Sequence, residues 1–131
     1  MIHLVSLCLI LGFAAQKLEK KPEQILVHTV HGDKVGNFDI QLSGKEPTLK
    51  LKTSDGFSWE RKLRPADVQY LKKEFAKLPQ LKGPPESCHR SSMEVLAEIN
   101  GKRTVKWSCF GIKSSTSPQF HRFARLLTAS L

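Results

Sequence analysis

From Asn37 to Leu63, apolar and polar residues alternate with a period of two, interrupted at GKEP and again at SDG. Successive strand side chains point to opposite faces, so this period sends one face to a core and the other to water. In NFDIQLS, Phe38, Ile40 and Leu42 share one side while Asp39, Gln41 and Ser43 share the other. GKEP, Gly44 to Pro47, is expected to form a four-residue hairpin loop into TLKLKT. That loop sets Ser43 opposite Thr48, Leu42 opposite Leu49, Ile40 opposite Leu51 and Lys52 beside Asp39, with the apolar faces in agreement. SDG then leads into FSWERKL. A two-residue Asp55-Gly56 turn would set Lys52 against Trp59 and mix the faces. A three-residue loop with a left-handed Gly56 sets Leu51 opposite Trp59 and Lys50 beside Glu60, and is the register we expect.

An earlier strand, Ile25 to His31, joins this run through the turn-rich link GDKVG. RPADVQYLKKEFAKLP reads as a helix. Pro65 suits its first position, Asp67 suits the positive end of the helix dipole, and Val68, Leu71, Phe75 and Leu78 form one stripe. In SSMEVLAEINGKRTVKWSCF, a two-residue Asn-Gly turn would pair Val95 with Lys106. A three-residue loop, Ile99 to Gly101, instead pairs Val95 with Val105 and Met93 with Trp107, and sets Glu98 against Lys102 and Glu94 against Lys106. Two apolar and two opposite-charge pairs favour the second register. A closing helix follows, with Ser117 as cap, Pro118 as first residue and Phe120, Phe123 and Leu127 on one face. The order ββββ-α-ββ-α implies an α+β fold: an antiparallel sheet of about six strands with two helices packed on one face. One domain is expected over 25–131, preceded by a flexible lead over 15–24.

The first residues differ in kind. No Lys, Arg, Asp or Glu occurs from Ile2 to Ala15, and charge begins at Lys17. This apolar run is shorter than the roughly 20 residues of a spanning helix, and Gly12 and Ala14 supply small residues for cleavage before Ala15. Residues 1–14 are therefore expected to be a signal peptide, although the amino terminus is the only positive charge ahead of the apolar stretch. Leu7 before Cys8 argues against a lipoprotein site. Export to the periplasm or the cell exterior follows. Removal of Cys8 leaves Cys88 and Cys109, the simple case for one disulfide in an oxidising compartment.

The formal net charge is +9 and is unchanged by cleavage, since the leader carries no charged side chain. Such a protein could meet a protein partner, or an anionic lipid or glycan of the envelope, with membrane contact no more than peripheral. Nucleic acid is not expected: both tryptophans fall on the apolar side of the registers above, acids face several lysines, and export argues against it.

Catalytic signatures are weak. Cys88-His89 adjacency does not make a nucleophile and base, because such partners meet through the fold. His28 and His31, three apart in a strand, face opposite ways, and no Cys-x-x-Cys, phosphate loop or Gly-x-Ser-x-Gly elbow is present. No metal ligand, cofactor or catalytic residue is assigned, and a non-enzymatic role is expected, an unrecognised hydrolase being the remote reading. The proline-rich connection around Cys88, with Lys82, Pro84, Pro85, Glu86, His89 and Arg90, is the candidate binding loop, since loops pinned on a rigid sheet often form binding surfaces.

The order of HGDKVGNFDIQL, PADVQYLKKEFAKL, EVLAEINGKRTVKW and a short closing helix resembles the emfourin-like proteins, small bacterial domains that include an inhibitor of thermolysin-type metalloproteases. The resemblance lies in the order of elements and transfers no inhibitory residue; the extra strand pair, the leader and the two cysteines depart from that pattern. It implies protease inhibition among the binding roles to be weighed. The sequence thus points to an exported small binding domain, possible protease inhibition included, with a basic envelope-associated accessory protein as the alternative. It leaves the oligomeric state open.

Overall fold

Alternation does build the strands, and the hairpin tips decide how they meet. The computed structural model describes residues 22–80, 88, 91–109 and 118–129. In chain order the elements are β1 (Gln24–His31), β2 (Lys34–Gln41), β3 (Thr48–Thr53), β4 (Ser58–Lys62), α1 (Pro65–Ala76), β5 (Ser91–Ile99), β6 (Lys102–Cys109) and α2 (Pro118–Thr128). The strands form one sheet in the order β4-β3-β2-β1-β5-β6, with every neighbouring pair antiparallel. This is the expected α+β fold. Residues 1–14 and most of the expected lead lie outside the described residues, while Glu23 and Gln24, at its end, belong to the fold.

One face of the sheet carries Ile25, Val27, Phe38, Ile40, Leu49, Leu51, Met93 and Val95, all buried. The helices close that face with their own stripes: Val68, Leu71 and Phe75 from α1, and Phe120, Phe123 and Leu127 from α2, all in one core cluster. Leu78, past the end of α1, is buried with them as its spacing suggested. Pro65 and Pro118 open the two helices as expected; Ser117, the expected cap of α2, lies outside the described residues. At the start of α1, the Arg64 N–H donates to Asp67 Oδ2 at 2.9 Å, occupying a carboxylate in the first turn.

Three registers test the reading of the strands. The β3–β4 hairpin is as expected: Gly56 has φ +91°, Leu51 faces Trp59 and Lys50 faces Glu60. The β2–β3 hairpin is shifted by two residues, with Ile40 opposite Leu49, Phe38 opposite Leu51 and Asp39 opposite Lys50. The Leu42 N–H donates to the Glu23 carbonyl on the β1 side at 2.9 Å, and the connection from Gln41 to Thr48 is longer than GKEP. A shift of two preserves the faces, and Leu42 remains buried. The GDKVG link is tighter than expected, since β2 resumes at Lys34 directly after Gly32 and Asp33.

The β5–β6 hairpin overturns the expected register. Asn100 and Gly101 both have positive φ, 54° and 73°, and form the two-residue turn with Ile99 opposite Lys102. Val95 therefore faces Lys106, Leu96 faces Val105, and Glu94 faces Trp107. A slip of one residue exchanges the faces of β6. Trp107 consequently lies on the face away from the helices, and only Trp59 of the two tryptophans is on the core side.

Candidate functional site

The candidate loop, Lys82, Pro84, Pro85, Glu86, His89 and Arg90, lies outside the described residues, as does any bend of the chain at His89 and Arg90. Its one described member, Cys88, is bonded to Cys109 with the Cα atoms 5.2 Å apart, which is the expected disulfide. Cys109 pairs with Ser92, four residues beyond Cys88. A straight strand would carry Cys88 about 13 Å along the sheet at roughly 3.3 Å per residue, so Cys88 does not continue the line of β5. Cys109 shares the outer face with Trp107, and both Cys88 and Trp107 are buried.

That outer face holds a concavity. Two cross-strand rows define it. One runs Glu60, Lys50, Asp39, Leu26, Leu96, Val105 from β4 to β6, and the next runs Ser58, Lys52, Asn37, His28, Glu94, Trp107. The His28 ring is tied to Asn37 across β1 and β2, Nδ1 to Oδ1 at 2.7 Å. The surface hollow between the rows has a volume of about 500 Å³ and is bordered by Leu26, Leu96, Asp39, Lys50, Lys52 and Glu94. Leu26 and Val105 are 37% and 39% exposed. An apolar step in the β1, β5 and β6 half thus adjoins a charged β2, β3 and β4 half, with cations and carboxylates interleaved.

These apolar residues were passed over in the pattern of alternation, although a signal existed. ILV in β1 and VLA in β5 are continuous apolar runs, which place apolar side chains on both faces of a strand. The structure brings Leu26 and Leu96 together as direct partners through those runs.

On the core side, Lys106 occupies a place that alternation assigns to an apolar residue. Its ammonium donates to the carbonyls of Phe75 and Ala76 at 3.0 and 3.4 Å, and lies 4.6 Å from the centre of the Phe75 ring. Burial holds its pKa below the ordinary lysine value. The contacts belong to the carbonyl end of α1, where a cation is favoured by the exposed acceptors. Lys106 therefore caps the carbonyl end of α1.

Among the described residues, no group of three or more His, Cys, Asp or Glu stands close enough to hold a metal ion. His28 and His31 fall on opposite faces, as their spacing requires. Among the same residues, no helix is long and apolar enough to cross a membrane. No family model, curated protein or solved structure matches this chain.

Proposed function

We propose that this chain is an exported, non-enzymatic binding domain that receives a protein partner on the outer face of its sheet. One observation carries the reading: exposed Leu26 and half-buried Leu96 line a hollow of about 500 Å³ bordered by charges of both signs, and exposed Val105 extends the apolar step beside Leu96. An apolar centre with a polar, charged margin is the ordinary anatomy of a protein–protein contact. Export is supported by the uncharged leader and by the disulfide between Cys88 and Cys109. A protease belongs among the first partners to screen, given the resemblance in element order to the emfourin-like domains.

The test is affinity capture from the native cell fraction with the oxidised protein lacking residues 1–14, compared with a Leu26→Arg, Val105→Glu variant. Both positions are more than a third exposed, so the variant should keep its melting temperature and lose the captured partner. Equal capture by both proteins would place the contact elsewhere. Turnover in a broad hydrolase screen would overturn the non-enzymatic reading.

A second reading has its own observation. Helix α2 contains Arg122 and Arg125 and no acid, and Lys73 is exposed on α1 with Lys77 just past its end, the latter paired with Glu74. This supports an envelope-associated accessory protein whose helix layer contacts anionic lipid or glycan. Binding to phosphatidylglycerol vesicles, absent with phosphatidylcholine and reversed by salt, is its expected signature.

A further inference from the structure

Large side chains fill most of the space between sheet and helices, but small ones meet at one end. On α2, Ala124 and Thr128 stand four residues apart, and β1 and β2 present Thr29 and Gly36. A side-chain carbon at Gly36 would lie 2.8 Å from Thr29 Oγ1, so this floor cannot thicken without displacing Thr29. A cleft of about 280 Å³ results, with Phe38, Leu51, Met93 and Leu127 as apolar walls. It lies on the core side of the sheet, opposite the hollow proposed to receive a partner.

The mouth is polar and asymmetric. Lys34 and His31 face each other across the tip of the β1–β2 hairpin, and both line the opening. Lys34 has no ion pair among the described residues. Asp55, the carboxylate on the same rim, is engaged within its own hairpin by the Thr53 hydroxyl and by the Phe57 N–H at 3.4 Å, and it also feels the Lys34 charge, though more weakly than those bonds. His31 Nδ1 lies 3.2 Å from Ser91 Oγ, which holds the ring at the rim.

We propose that this cleft binds a small amphiphile: an apolar chain against the walls, with a carboxylate head at Lys34 and His31. At about 30 Å³ for each water-sized group, the volume admits roughly nine such groups, the scale of a medium-length acyl chain. The apolar walls select the chain and the mouth selects the anion, the usual division of labour in a small-molecule site.

The experiment is calorimetric titration of the oxidised protein lacking residues 1–14 with octanoate, and with octanol as the neutral counterpart. Octanoate should bind with one-to-one stoichiometry, and octanol up to about fivefold more weakly, the upper end for loss of one exposed ion pair. Lys34→Glu should weaken octanoate at least as much as removal of its charge does and leave octanol unchanged. Ala124→Phe should abolish binding of both; if it fails to fold, Thr128→Leu at an exposed position obstructs the same mouth. Absence of saturable binding would overturn the proposal, as would equal affinity for octanol or full binding by the obstructed variant. Binding that appears only after deletion of Ser130 and Leu131 would assign the cleft to the chain's own terminus and also overturn it. Partner capture through the outer face is unaffected by any of these results.

Discussion

Lys106 shows how a single side chain overrides a pattern. Its ammonium is buried, yet two carbonyls at the end of α1 accept from it and the Phe75 ring lies beneath it. Replacing it with Met leaves those acceptors without their donor, and we expect a loss of about 1–2 kcal/mol at neutral pH by urea denaturation. The pH dependence has a definite sign. Burial lowers the pKa in the folded protein, so the unfolded chain binds the proton more readily between that lowered value and 10.5. Stability of the wild type should therefore rise relative to Lys106→Met as pH climbs through that window. Asp67 follows the same sign in an acid window, where the lowered pKa reflects a charged form that the fold stabilises rather than one that burial penalises. Hydrogen bonds from the Arg64 side chain and then from its backbone N–H hold the carboxyl below its ordinary 3.8. Its contribution is complete above 3.8 and disappears as pH falls through the folded value. Asp67→Asn should cost about 1 kcal/mol at neutral pH, and the two proteins should converge in acid. Both effects are read by denaturant titration across pH.

Between elements, legibility depended on whether a hairpin's rungs stood alone. In β3–β4, the conformation available to Gly56 and the Leu51–Trp59 rung agree, and the register follows from them. In β5–β6, the charge pairs Glu94–Lys106 and Glu98–Lys102 outweighed the Asn-Gly turn, because nothing in that hairpin reveals the carbonyls of α1 that Lys106 reaches. The β2–β3 register differs by two residues, and since that shift leaves both faces unchanged, alternation could not tell the two apart. Glu23 ties three elements: Oε1 accepts from Lys72 Nζ of α1 at 2.6 Å, and Oε2 accepts from the Asn100 N–H of the β5–β6 turn at 2.9 Å. Its side chain is 16% exposed and that of Lys72 is 25% exposed, so the pair is partly shielded from water. A double-mutant cycle with Glu23→Gln and Lys72→Met should give a coupling of about 1 kcal/mol. A coupling near zero would assign Glu23 to the turn alone.

For the molecule as a whole, layering and covalent closure were legible while the outer surface was not. The stripes Val68–Leu71–Phe75 and Phe120–Phe123–Leu127 fixed which helix faces meet the sheet, because each requires burial independently of the strand registers. Leu26, Leu96 and Val105 required the sheet order, which brings β1, β5 and β6 side by side. The Cys88–Cys109 bond closes a separation of 21 residues that contains all of β5 and most of β6. Constraining the unfolded chain over such a loop contributes about 3 kcal/mol. Cys88→Ser with Cys109→Ser should therefore lower the melting temperature by roughly 10–20 °C, at the several degrees per kcal/mol usual for a domain near this size. Reductant should produce a similar fall in the wild type and none in the double variant. Titration of the unreduced, denatured protein lacking residues 1–14 should find no free thiol, because Cys8 is absent and the remaining two cysteines are bonded. Two free thiols, or a melting temperature indifferent to reductant, would remove the bond from the account of stability and with it one support for export.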